Sequence, residues 1–209
     1  MARIAVEERR LQLVDATIRV MAEHGVAAAT TRRIAAEAGT TLATVHYCFE
    51  SKQALLREVI TTIVNQLTSP ARREVPTGVE LPILVRAMLE ELWDIVESEP
   101  KRQQLTYELT QFALREPDLA ELARWQYELY YAECRRTLQG LAEATGSSWT
   151  VPMEVLSRLL LTAIDGAVLG WLVDGDGDRA RAVLLTFGDL LASLARPQLA
   201  GGQDAAARA

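Results

Sequence analysis

TTRRIAAEAGTTLATVHYCFESKQALL, residues 30–56, holds two short apolar rhythms separated by one glycine. Ile34, Ala35 and Ala38 recur at helical spacing before Gly39, and Val45 and Phe49 do so after it. Thr30 or Thr31 suits the cap of the first helix and Thr41 that of the second, because a threonine hydroxyl accepts from an amide that a helix start leaves without a partner. Ala35 is small enough for two helices to cross closely, and Gly39 can take the positive φ of a tight turn. This is a helix-turn-helix pattern, whose second helix keeps one edge free for a DNA major groove about 12 Å wide. Any tight pair of helices needs the same small residue and glycine, so the pattern alone leaves plain packing open.

Within the stretch, His46 and Cys48 stand two residues apart. A helix turns about 100° per residue, so their side chains leave it roughly 200° apart and cannot share one ion or one proton. Cys48 is expected inside and His46 outside.

Outward from this pair, most segments repeat apolar residues at three and four, and strand alternation bounded by turn residues is missing. The expected fold is all-α, with about nine helices. Leu11, Val14, Ile18 and Met21 form a first stripe closed by His24-Gly25, and Ser51 caps a fourth helix running to about residue 70. Five more helices are expected near 79–99, 101–115, 117–145, 152–174 and 178–196. SPARREVPTGVE, with Pro70 and Pro76 and no stripe, reads as a linker. Residues 1–50 then form a head, 51–70 a connecting helix and 71–197 a body. The tail 198–209 has too little apolar content to order itself.

The net charge of −6 over 209 residues is uneven. Residues 1–60 carry eight Lys/Arg against seven Asp/Glu, and the acid excess lies downstream. A weakly basic head on an acidic body is compatible with DNA binding when a few cations face phosphates. The longest apolar run, Leu159 to Val173, is broken by Asp165 and falls short of the roughly 20 residues of a membrane span, so no membrane partner is expected. MARIAVEERR does not read as an export signal, and two cysteines fit a reducing cytoplasm. Asp174–Asp178, DGDGD, opens like a calcium loop, but Arg179 stands at its sixth position and Leu185 at its twelfth, so it reads as a turn. His24 has no companion ligand nearby in sequence, and no metal site or cofactor is implied.

The stretch 30–56 resembles the DNA-binding segment of the tetracycline-repressor (TetR) family of homodimeric, all-helical, ligand-released regulators. The resemblance is strong over the first third of the chain and continues only as helix number, lengths and order. It implies double-stranded operator DNA as a partner, with contacts from Thr31 and Arg32 on the second helix. Thr41, Leu42, Ala43, Thr44, His46 and Tyr47 fall on the recognition helix, and Lys52 matches a phosphate-contacting lysine. His46 departs from the family's usual tyrosine, and Cys48 stands where histidine or tyrosine is frequent. Since Leu42 and Ala43 offer no side-chain hydrogen bonds, base reading must involve Thr41, Thr44 or contact with thymine methyls.

For the body, the resemblance implies a four-helix dimer interface from the eighth and ninth helices, with Ala163, Gly166, Ala167, Gly170, Phe187, Leu191 and Leu194. It also implies an effector cavity among helices five to eight. Trp93, Tyr107, Gln111, Trp125, Tyr131 and Asp165 are the candidate lining, suited to a partly apolar or aromatic small molecule. Asp165 could meet a ligand cation, join a buried polar network or face Arg158. The rival reading is a small helical enzyme or ligand-binding protein without DNA function. No phosphate loop, metal set or nucleophile with its base supports catalysis.

Overall fold

A computed structural model of the chain describes residues 5–68 and 76–197. Among these it forms nine helices: α1 (Val6–His24), α2 (Thr31–Glu37), α3 (Leu42–Cys48), α4 (Lys52–Thr68), α5 (Leu81–Ser98), α6 (Pro100–Arg115), α7 (Ala120–Thr145), α8 (Met153–Asp174) and α9 (Gly177–Ala192). The all-α expectation holds in number, order and approximate bounds. The first part of the expected linker and the tail 198–209 lie outside the described residues.

One pair of short strands was not foreseen. β1 (Ser147–Trp149) and β2 (Ala195–Pro197) run antiparallel, with Ser148 opposite Arg196. The ninth helix therefore ends at Ala192 instead of continuing to about 196. Thr150 fixes this return: its backbone N–H and its Oγ1 both donate to the Leu194 carbonyl, at 2.8 and 2.7 Å. Three-residue strands carry no readable alternation, since their pairing is set by partners 46 or more residues away in the chain.

Contacts divide the described chain into two compact units, 5–68 with 96–130 and 76–95 with 131–197. In the first, α1 turns Leu13, Val14, Ala16, Val20 and Met21 inward onto Ile34, Val45, Phe49, Leu55, Val59 and Leu109. Leu11 is not part of this stripe; it is 64% exposed, because the buried face of α1 is set by positions 13, 14, 16, 17, 20 and 21. Burying such side chains stabilises by about 1.5–3 kcal/mol each against exposure.

In the second unit, α9 crosses α5 at Gly188, where a Cβ would meet Leu89 Cδ1 at 2.8 Å. Leu156, Leu160, Leu161, Ala167 and Val168 bury one side of α8. The whole of α8 is 22 residues long and passes, by length and composition alone, for a membrane span, which the shorter run within it does not. Its other side is apolar and exposed at Val155, Leu159, Leu169 and Val173.

Candidate nucleic-acid interface

Capping and one glycine build the reading pair. Thr30 Oγ1 accepts from the Arg33 amide at 3.3 Å and starts α2. Gly39, with φ of 60°, then lets the chain reverse, while the amides of Gly39 and Thr40 donate back to Ala36 and Ala35. Thr41 Oγ1 accepts from the Thr44 amide at 3.2 Å and lies 2.9 Å from Thr44 Oγ1, so the two hydroxyls steady one another at the start of α3. Ile34, Ala35, Val45, Cys48 and Phe49 are buried and pin the pair to the core; Ala38 is half-buried against it.

The opposite edge of α3 is open. Thr41, Ala43, His46 and Tyr47 are exposed there, Tyr47 by 74%, and Leu42 and Thr44 are half-buried. On α2, Arg32 and Arg33 are exposed and Thr31 is half-buried. The expected contact residues thus lie on the two helices of one pair. Lys52 differs in character: it is half-buried, and its Nζ sits 5.5 Å from the centre of the Phe112 ring on α6. An ammonium so placed is attracted to the ring face and must leave it to stretch toward a phosphate.

Two charged residues to which sequence reading assigned no role at this pair hold its geometry. Arg10 on α1 donates to the Cys48 carbonyl and to Glu58 Oε1, each at 2.7 Å, while its guanidinium lies 4.5 Å from the Phe49 ring centre. Glu108 on α6 accepts from the Val26 amide at 2.7 Å, in the 3-10 turn between α1 and α2. Partners 38 and 82 residues apart leave no local pattern.

The residues expected to line an effector cavity are divided between the units. In the first, Tyr107 is half-buried and Trp125 is half-buried beneath Arg57, whose guanidinium is 5.3 Å from the ring centre. Gln111 is exposed, because α6 turns Leu109, Thr110 and Ala113 inward and leaves residue 111 outside. Gln103 and Gln126, not foreseen, are buried polar side chains of this unit, and Gln126 Nε2 donates to the Tyr130 hydroxyl at 3.3 Å.

In the second unit, Trp93 is fully buried edge-on to Trp171, with ring centres 5.4 Å apart, and its Nε1 has no acceptor. Tyr131 lies under the Arg158 guanidinium at 5.7 Å, and Asp165 is half-buried. Burial pushes the Cys134 thiol up to about 12, and the charges of Asp165 and Glu133 add to the effect.

The expected interface residues also separate by burial. Gly166 and Gly170 are exposed with nothing within 4 Å of an added Cβ, whereas Ala163, Phe187 and Leu194 are half-buried. Ala167 and Leu191 are buried within their own unit, on the inward sides of α8 and α9. The open apolar positions of these two helices are Val155, Leu159, Leu169 and Val173 on α8 and Val183 and Leu190 on α9.

A capped helix-turn-helix with an open outer edge, joined to further helices bearing an apolar face, defines a DNA-binding regulator. Residues 13–59 match the family model for bacterial regulatory proteins of the tetR family, and residues 84–208 match the C-terminal model of BetI-type transcriptional repressors. The chain belongs to the TetR family. It is 30% identical over 177 residues to the HTH-type nicotine-responsive transcriptional repressor HdnoR of Paenarthrobacter nicotinovorans, covering 85% of this chain and 90% of that protein. With the HTH-type transcriptional regulator BetI 1 of Chromohalobacter salexigens it shares 27% identity over 155 residues, 68% of this chain and 77% of the relative. Salmonella enterica GusR has the same fold, with a TM-score of 0.70 at 22% identity, covering 89% of this chain and 94% of GusR. The chain is accordingly a transcriptional regulator and not an enzyme. Regulators of this family bind operator DNA, typically as homodimers, under small-molecule effectors.

Proposed function

We propose that this chain is a cytoplasmic homodimeric repressor that reads a palindromic operator with α2 and α3 and leaves it when a small organic effector binds. The observation that carries the reading is the open edge of α3, where Thr41, Ala43, His46 and Tyr47 face outward from a helix pinned by Val45, Cys48 and Phe49. Arg32 and Lys52 then set register on phosphates. Thr41, Thr44 and the Ala43 methyl read base edges, while His46 and Tyr47 supply ring donors at the rim.

The dimer face runs along the exposed apolar positions of α8 and α9, around Gly166 and Gly170. Two copies bring two α8 and two α9 together, and the glycines let the backbones approach. Release works by linkage: the effector loosens DNA binding only as far as it prefers the head spacing that does not fit the operator.

The effector is a small nitrogen-containing organic molecule, partly aromatic. The name of the nicotine-responsive relative supports this class, as do Asp165 within an apolar helix and the unpaired indole N–H of Trp93 in the same unit. Selection of bound duplexes from random DNA, followed by gel-shift titration with nicotine as the first effector probe, tests the reading. A palindromic product bound in a salt-dependent way supports it. Equal binding to every duplex, or none, sinks it.

A further inference from the structure

Glu108 stands on the exposed side of α6, and its Oε1 accepts a hydrogen bond from the Val26 amide at 2.7 Å. Val26 is fully buried at the start of the 3-10 turn that leads from α1 to α2. The carboxylate reaches this amide because residue 25 has no side chain: a Cβ there would lie 2.9 Å from Glu108 Oε1. Gly25 also has φ of 81°, a conformation that side-chain-bearing residues seldom adopt. The missing Cβ leaves Glu108 Oε1 its place beside the Val26 amide, while the positive φ ends α1. One turn further along α6, the Phe112 ring carries the Lys52 ammonium. So α6 meets the head ahead of α2 through Glu108 and, while Lys52 is off DNA, behind α3 as well.

We propose that Glu108 is a positioning residue for DNA binding: its bond to Val26, admitted by Gly25, latches α6 to the α1–α2 turn, so that a displacement of α6 carries the reading pair with it. This rests on the reading of the chain as a dimer whose two heads must match an operator spacing. A buried amide left without an acceptor is costly, and a charged acceptor makes the stronger bond, so the turn follows the carboxylate rather than parting from it. Aliphatic contacts from α6 to the same turn would slide; a directed hydrogen bond fixes orientation.

The test uses the full chain and a duplex that the native protein enriches from random DNA, resynthesised with its half-sites one base pair closer and one further apart. Glu108→Gln keeps an acceptor at the same reach. Glu108→Asp keeps the charge but withdraws it by about 1.5 Å, one carbon–carbon bond. The native protein and Glu108→Gln are expected to reject the altered spacings alike. Glu108→Asp and Glu108→Ala are expected to lose about tenfold of that discrimination, with faster hydrogen exchange at the Val26 amide, while melting and sedimentation report an intact folded dimer. Gly25→Ala, which displaces the carboxylate from the other side, should behave as Glu108→Asp does. Unchanged spacing discrimination in a folded Glu108→Asp dimer overturns the latch. Failure of the native protein to enrich any duplex overturns the DNA reading and the latch together, and is distinguished by the native control.

Discussion

Arg10 and Cys48, 38 residues apart in sequence, are joined by a 2.7 Å hydrogen bond from the guanidinium Nη1 to the carbonyl oxygen. Cys48 is the last residue of α3, so the cation closes the carbonyl end of the recognition helix, where the helix dipole favours positive charge. The second guanidinium nitrogen reaches Glu58 on α4, and the plane covers Phe49. One side chain thereby ties α1, α3 and α4 together.

Arg10→Lys should weaken operator binding by roughly tenfold, because an ammonium keeps the charge but cannot make both bonds while lying over the ring. The dependence of affinity on salt should stay as in the native protein, since Arg10 orients α3 and neutralises no phosphate. Binding measured from about 50 to 200 mM salt decides it. A shallower slope would make Arg10 a phosphate contact instead.

Arg32→Ala should do the opposite. It should weaken specific and random duplexes by similar factors and lower the salt slope by about one for each head. Thr44→Ala should alter base preference, and its effect will include the loss of the hydroxyl that steadies Thr41. If repeated selection with Thr44→Ala returned the native sequence at native affinity, base reading would belong elsewhere on α3.

Val173→Glu and Leu169→Glu should produce monomers that bind operator poorly, because both side chains are exposed in the isolated chain and a carboxylate would have to be buried in the dimer. Gly170→Leu is the sharper probe. Nothing lies within 4 Å of an added Cβ in the subunit, so the position is open there, and unchanged melting assigns a loss of dimer to the contact between subunits. Sedimentation velocity should show a dimer-to-monomer shift with unchanged melting of the monomer. Intact dimers in all three variants would move the interface off this face.

Cys134 should resist alkylation at pH 8.5, in a Cys48→Ala background, until the protein unfolds. Its pKa is raised from 9.0 to about 12, chiefly by burial, so the folded thiol stays protonated where the unfolded one ionises. With more protons bound in the folded state, stability contributed by this group is complete below pH 9.0 and falls as the pH rises toward about 12. Cys134→Ala should lose less stability than the native protein over that alkaline window, by comparison of denaturant midpoints. Equal alkaline losses in the two proteins would contradict it.

The sequence by itself determined the helix-turn-helix, because its signals are local. Threonine caps bond amides three residues on, Gly39 turns the chain by its own φ, and apolar spacing marks the inner face of each helix. The same locality let Cys48 be placed inside and His46 outside from helical rotation alone. The body helices were legible in number and extent for similar reasons. Only the tertiary structure decided what depends on partners distant in sequence: that Leu11 faces water while Leu13 is buried, that Gln111 turns outward, and that Leu191 packs within its own unit while Leu190 does not. Composition cannot separate such neighbours, because which of two adjacent apolar residues is buried depends on where the other helices lie. Arg10, Glu108 and the contact that Gly25 admits belong to this second class, since a hydrogen bond across 38 or 82 residues leaves no trace in spacing and exists only once the helices have packed.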